Sequence, residues 1–467
     1  MHRKQKPLSP AARLRRQPVA VRRHGTWLSG LGLWLLSLLS AGAGLAAAEG
    51  PTREDVLSRM RGYTGPSATD ARADSLHGKV LAGYQGWFTT PGDGSGQGWR
   101  HYPRGGEFRP GRCGIEQWPD LTEFDEDEKF ATPFRHVDGR VASVFSSHHP
   151  KTVQRHFEWM RTYGIDGVFV QRFAVATVPP VDLGHCNAVL ANCRESANRT
   201  NRCYAVMYDL SGLQEGGTRQ VIADWKLLVD NMRIGRDPAD TSYLRHRGKP
   251  VVAVWGIGFN DGRKYTLAEC DELVEFLKRD PVYGGNTVML GVPAYWRTLE
   301  RDAVPDQKLL EVIRKADVVS PWSVGRYNSP EAADRHADRT WKPDLDWCRE
   351  RGIDYLPVVF PGFSWKNLYP ESAARPIPRL KGAFLWRQYA AAKRIGSTMI
   401  YQAMFDELDE ATAIFKVTDD PPVGESRFLD NEGLPSDHYL WLTGMGGKCL
   451  RGEIEATPAP PPRTPGG

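Results

Sequence analysis

Eight short apolar, β-rich runs recur along this chain, separated by longer stretches whose apolar residues fall at helical spacing. The runs cover residues 80–88, 165–171, 203–209, 250–257, 287–292, 318–322, 355–361 and 398–405. Helical spacing is found over 151–163, 219–233, 268–278, 306–315, 341–351 and 382–395. Alternation of this kind builds parallel βαβ units. Eight of them predict an α/β chain folded as a single (β/α)8 TIM barrel over residues 79–455, with working groups at the C-terminal ends of the strands. An open α/β sheet is the fallback if the count is off by one strand.

Residues 89–145 are too long for a simple βα loop and are rich in Gly, Pro and aromatic residues. They are expected to form an ordered insertion after the first strand, lying over the barrel mouth. Within it the acidic stretch 120–128 lacks the ordered ligand spacing of a calcium loop and reads as a solvated loop. Residues 49–78 form a polar lead-in, and 428–455 a final helix or capping element. The Pro-rich end, 456–467, is expected to remain disordered and unpacked.

The first 24 residues hold six Arg, two Lys and no acid, and are followed by an apolar run over 27–39 and small residues up to Ala48. This is the three-part pattern of a secretory signal peptide over 1–48, with Ala46-Ala47-Ala48 as the cleavage site. It predicts an exported protein, periplasmic or extracellular, with no stable membrane contact after cleavage. An uncleaved anchor is the alternative, because 27–48 is just long enough to span a bilayer. Arg22-Arg23 has the place of a twin-arginine signal without the Phe-Leu-Lys that usually follows. These eight bases exceed the whole formal charge of +5, so the rest of the chain is mildly acidic. That excludes nucleic acid as the expected partner. In an exported chain some of the seven cysteines should pair, and Cys186, Cys193 and Cys203 lie close enough together to suggest a local disulfide. With His185 they fit no zinc spacing, so no metal is expected there.

Polar or aromatic side chains stand at the end of nearly every run: Tyr84 and Trp87, Gln171 and Arg172, Tyr208 and Asp209, Trp255, Tyr295 and Trp296, Trp322, then Phe363 and Trp365. Converging on one face of a barrel, they would make an aromatic cleft of the composition that sugar sites have. The last run leads directly into Asp406-Glu407-Leu408-Asp409-Glu410. A buried cluster of this kind repels itself and raises at least one carboxyl pKa. One protonated and one ionised carboxyl is what general acid/base work requires. Strand alternation puts Glu407 and Asp409 on one face. Glu410 joins Glu407 only where the chain has begun to turn, and a pair three apart in a turn brings carboxyls to about 5–6 Å, typical of retaining glycosidases. An acidic helix N-terminus is the competing reading.

Several segments carry a family resemblance: Gly83-Tyr84-Gln85-Gly86-Trp87-Phe88, Tyr163-Gly164-Ile165-Asp166-Gly167-Val168, Ala205-Val206-Met207-Tyr208-Asp209, Lys249-Pro250-Val251-Val252, Pro357-Val358-Val359-Phe360-Pro361-Gly362-Phe363 and Phe405-Asp406-Glu407-Leu408-Asp409-Glu410-Ala411-Thr412. Through them the chain resembles the bacterial glycoside hydrolase family 71/99-like proteins, sometimes labelled xylosidase/arabinosidase, which are distant relatives of the family 99 endo-α-mannosidases. The resemblance implies a retaining glycosidase on a (β/α)8 barrel with no metal or other cofactor. Glu407 would remove the proton of the sugar 2-hydroxyl, which attacks C1 to give a 1,2-anhydro sugar. Glu410 would protonate the leaving oxygen and later activate water. The implied partner is an α-linked polysaccharide or oligosaccharide, mannan-like or a xylan or arabinan side chain. Tyr84, Trp87, Tyr208, Asp209, Trp255, Tyr295, Trp322, Asp406 and Asp409 would shape its subsites. The family's Asn-Glu-Trp-His-Glu-Gly-Thr is altered here at Asp406, Leu408, Asp409 and Ala411. A glycan-binding barrel without hydrolytic activity is the alternative.

Overall fold

The computed structural model describes residues 50–463. The expected signal segment lies outside the described residues, and among these no helix is long and apolar enough to cross a membrane. Twelve strands occur among the described residues: β1 Val80–Tyr84, β2 Phe130–Arg135, β3 Val141–Val144, β4 Gly167–Phe173, β5 Cys203–Asp209, β6 Arg245–His246, β7 Lys249–Trp255, β8 Thr287–Pro293, β9 Val318–Trp322, β10 Asp354–Tyr355, β11 Val358–Val359 and β12 Ile400–Gln402. Nine of these form one parallel sheet in the order β10-β9-β8-β7-β5-β4-β1-β12-β11. The strands β10 and β11 are two halves of one interrupted strand. Leu356 N donates to Val319 O (2.9 Å) on one side, and Pro357 O accepts from Tyr401 N (3.0 Å) on the other, which closes the ring. Proline has no N–H for the ladder, so the strand breaks there. The closed sheet is the (β/α)8 barrel that the eight runs predict.

Strands β5 and β8 are buried at every position, as strands covered on both faces should be. The outer layer includes helices Pro150–Tyr163, Thr218–Met232, Leu267–Arg279 and Ala383–Arg394. The first begins on a proline and ends on Gly164 in the left-handed region, φ 75°. The third is held at its start by a reciprocal Thr266–Glu269 cap. A further helix, Pro180–Thr200, has no counterpart among the expected ones. It buries Asn187, Arg194, Ser196 and Asn198 beside Leu183, Leu190, Cys193 and Ala197, so its inward face mixes polar and apolar residues.

The insertion is ordered and sits where the strand-end loops converge. Its core stacks Phe108, Trp118 and Phe134 under the β2–β3 hairpin. Glu116 N donates to Leu408 O (2.9 Å) and Asp120 N to Lys416 O (3.0 Å), so the insertion is bonded to the turn after β12.

Three expectations are corrected. The acidic stretch is not simply solvated: Glu128 is fully buried, accepting from Arg155 Nη2 (2.6 Å) and Thr152 Oγ1 (3.1 Å). All seven cysteines are free thiols. Cys186 and Cys193 lie on one helix about two turns apart, roughly 10 Å of rise, beyond the reach of a disulfide. The Pro-rich end is not unpacked as far as Arg463: Trp386 Nε1 donates to Thr457 O (2.8 Å), and Arg463 forks onto the Asp437 carboxylate with two 2.7 Å bonds.

Candidate active site

The eighth strand leaves the ladder earlier than its apolar run does, ending at Gln402. Residues 403–411 then turn back on themselves. Met404 N donates to Thr412 O (3.1 Å), Phe405 N to Gly83 O (2.7 Å) and Ala413 N to Glu407 O (3.0 Å). Glu407 and Glu410 therefore sit in a turn rather than on a strand, the arrangement under which they share a face. Glu407, 4% exposed, accepts from Gln85 Nε2 (2.7 Å) through one oxygen and from the Thr412 hydroxyl through the other. Asp409, 3% exposed, faces His101 Nδ1 (3.3 Å), and its other oxygen is buried without a hydrogen-bond partner. Glu410 alone of the four acids is partly exposed.

Asp406 does a different job. Its two oxygens accept from the backbone amides of Gln85 (2.7 Å) and Gly86 (2.8 Å), and it is wholly buried. It ties the loop after β1, where Gly86 takes φ +60°, to the turn after β12. Its place in the expected subsite set is thus corrected to a positioning role.

Burial raises all four carboxyls. Asp406 and Asp409 reach about 7 and Glu410 about 8, where the Asp409 charge adds to burial. Glu407 is raised by burial, then by Glu410 and Asp409, against the two hydrogen bonds it accepts. Neighbouring carboxyls in such a site share protons rather than all ionise. The donors from Gln85 and Thr412 favour the ionised form of Glu407 without overcoming burial and its neighbours' charges, so both glutamates are raised.

The parity of the strands sorts the remaining expected residues. On β1, Gly83 points inward: a Cβ there would lie 2.1 Å from the Tyr401 hydroxyl. Tyr84 therefore points outward, fully buried, bonded to His156 Nδ1 (2.9 Å). On β5, Tyr208 likewise faces the helices and donates to Asp224 (2.7 Å). Neither reaches the cleft, because adjacent residues of a strand face opposite sides, so both are corrected to core positions. Asp209, one residue on, faces in and is raised by burial against Arg263. Trp255 and Trp322 meet edge-to-face at 5.5 Å, and Trp322 reaches Tyr401 at 6.2 Å. Trp87 stacks on His101, centroids 3.7 Å apart and 6° from parallel, and on Phe173. Tyr295 stands apart, lining a cavity of about 680 Å³ between the loops after β8, β9 and β11.

Five further groups belong to this centre: Gln85, His101, Gln171, Tyr401 and Thr412. Gln171 Nε2 donates to the Tyr401 hydroxyl (2.9 Å), and the Glu407 charge acts on that hydroxyl. A signal for Gln85 existed in the Gly83–Phe88 segment, but none marks His101, which comes from the insertion. At the opposite end of the barrel, His77, His246 and Asp354 cluster within 4.8 Å. Both His246 nitrogens are engaged, Nδ1 by Leu76 N (3.1 Å) and Nε2 by Asp354 (2.7 Å), so this group fastens the lead-in to the barrel.

Fold and site together define a (β/α)8 barrel with a buried carboxylate cluster in the turn after its last strand. In overall structure the chain is similar to a glycoside hydrolase family 99 endo-α-mannosidase from Bacteroides thetaiotaomicron, with TM-score 0.60 and 16% identity over 81% of this chain and 99% of that one. A structure of that endo-α-mannosidase in complex with bis-tris-propane matches with TM-score 0.59, at the same identity and coverage. No family model and no curated protein matches the sequence.

The buried titratable groups give stability a defined pH profile. Burial lowers His101, His156, His185, His336 and His438 from 6.5 to about 3–4, so the folded chain resists protonation that the unfolded chain accepts. That contribution is lost as pH falls below 6.5. Asp344, Asp406, Asp409 and Glu410, raised to about 7–8, hold protons that the unfolded chain releases above about 4, so stability declines as pH rises toward 8. The two trends oppose one another between about 4.5 and 6.5. Thermal unfolding midpoints should form a plateau there and drop on both sides. A midpoint still climbing between pH 7 and 8 would contradict these burial effects.

Proposed function

We propose that this protein is an exported glycoside hydrolase acting on an α-linked glycan by a retaining mechanism, with Glu407 as base and Glu410 as acid/base. The observation that carries the reading is the pair of carboxyls in one turn at the C-terminal end of the barrel, Glu407 bonded by two donors and Glu410 partly exposed at the edge of the cleft. Ionised Glu407 takes the proton of the sugar 2-hydroxyl as its oxygen attacks C1. Glu410 gives its proton to the leaving oxygen, and the 1,2-anhydro sugar forms. Glu410, now ionised, removes a proton from water as the water oxygen attacks C1; the C1–O2 bond breaks, Glu407 returns its proton to O2, and the product keeps the original configuration. Trp87 and Trp322, both only partly buried, offer ring surface to the sugar, and Asp209 a polar contact. The likeness to an endo-α-mannosidase supports an α-mannan as the first substrate to try.

The test is a screen of the whole chain on α-mannan, xylan and arabinan oligosaccharides, with the anomer of the first product read by NMR. Turnover with retained configuration is expected on at least one. Binding without turnover across the screen would leave a glycan-binding barrel instead, and an inverted first product would remove the assigned roles.

A further inference from the structure

The cavity lined by Tyr295 is built differently from the carboxylate centre. Arg301, Arg326, Arg335, Arg339 and Arg375 all line it, from the loops after β8, β9 and β11 and the helical segment between. Its nearest acids are largely spoken for: Asp344 takes Arg297 (2.7 Å), and Asp302 takes Arg326 (2.7 Å). Glu300 is exposed at the rim, and Glu331 acts on Arg335 from one turn earlier on the same helix. Arg301 is bonded to a neutral partner, the Tyr295 hydroxyl (2.7 Å). Arg339 and Arg375 make no ion pair among the described residues. A second observation points inward: His336, 7% exposed, lines the cavity with its Nε2 buried and without a hydrogen-bond partner.

The cavity's lining is joined through the backbone to the turn that carries the carboxylates. Phe363 lines it, its ring lies 5.0 Å from that of Trp365, and the next residue, Ser364, donates its N–H to Glu410 O (2.9 Å). The loop after β11 therefore contributes to the cavity wall through Phe363 and is bonded to the carboxylate turn through Ser364.

We propose that the cavity is an anion-recognising subsite, taking the carboxylate of a uronic acid or the sulfate ester of an acidic glycan that is cleaved at Glu407 and Glu410. Unpaired guanidinium groups around one cavity suit planar or tetrahedral oxyanions, which they hold with charge-assisted, often bidentate bonds. Indiscriminate attraction of polyanions is not the explanation, since the chain beyond its first 24 residues is net acidic. The inference rests on the glycosidase reading for what happens to the ligand, but not for its binding.

Calorimetric titration of the whole chain with polygalacturonate oligomers, sulfated dextran oligomers and neutral α-mannan oligomers tests it. At least one anionic ligand should bind about tenfold or more tighter than the neutral one, and added salt should erode the difference. The double variant Arg339→Gln/Arg375→Gln should lose at least about tenfold for that anion and nothing for the neutral glycan. Both side chains are exposed, so unfolding midpoints should be unchanged. Preference for the polyuronate alone assigns a carboxylate, and for the dextran alone a sulfate. Equal affinity for charged and neutral ligands, or an anion affinity that survives the double substitution, overturns the proposal. Tight anion binding without hydrolysis would uphold it while removing the glycosidase reading.

Discussion

Glu410→Gln is expected to lower turnover by about 10²–10⁴-fold, with Glu407→Gln falling in the same range. Both changes keep the shape of the side chain and remove the ability to exchange a proton. Neither should unfold the protein. Each replaces a buried carboxyl amid like-charged neighbours, so the unfolding midpoint should hold or rise. Loss of activity with stability retained separates a chemical role from a structural one. A variant that keeps full turnover would remove its residue from the chemistry. The pH profile supplies an independent reading. Activity should fall as pH rises through about 8, where Glu410 gives up its proton. Asp409→Asn removes a charge that raises Glu410, so that alkaline limb should move to lower pH.

The second large effect concerns stability. Asp224→Ala should cost about 3–5 kcal/mol. Arg172 donates to both Asp224 oxygens at 2.6 Å, the Tyr208 hydroxyl adds a third bond, and both charged residues are 2% exposed. Truncating the acid leaves a guanidinium inside the protein with no counter-ion. Replacing both partners with apolar residues of similar volume should cost far less, because the desolvation of two charges disappears with them. Chemical denaturation of the two variants checks this. Equal losses would mean that packing, rather than the stranded charge, sets the cost.

How far the sequence foretold this molecule follows from what burial does to a pattern. Parallel strands covered on both faces are apolar at nearly every position, so the runs stood out and their number was right. That same uniformity hid which side each residue faces. Tyr84 and Tyr208 stand at strand ends as their family segments suggest, yet each is one position away from the cleft-facing residue, Gly83 in one case and Asp209 in the other. The helix Pro180–Thr200 escaped because Asn187, Arg194, Ser196 and Asn198 share its buried face with Leu183, Leu190, Cys193 and Ala197 and dilute the apolar period. The carboxylate cluster was visible because four acids after an apolar strand are rare on grounds of repulsion alone. The backbone amides that claim Asp406, and the His101 ring beside Asp409, come from segments roughly 300 residues away in the chain. The Arg-lined cavity joins three loops, and nothing local brings them together.

The tie between Gln85, Gly86 and Asp406 has a consequence for the history of each molecule. It joins positions 321 residues apart, and β1 finds its partner β12 only across almost the entire barrel. Contacts of such long sequence separation form late, after the entropy of closing the intervening chain has been met. The carboxylate turn is therefore expected to be set late in folding rather than early. A chain halted before residue 400 could hold most of its secondary structure and yet have neither a closed barrel nor a place for its acids, so activity should report completion of the fold more sharply than helix content does.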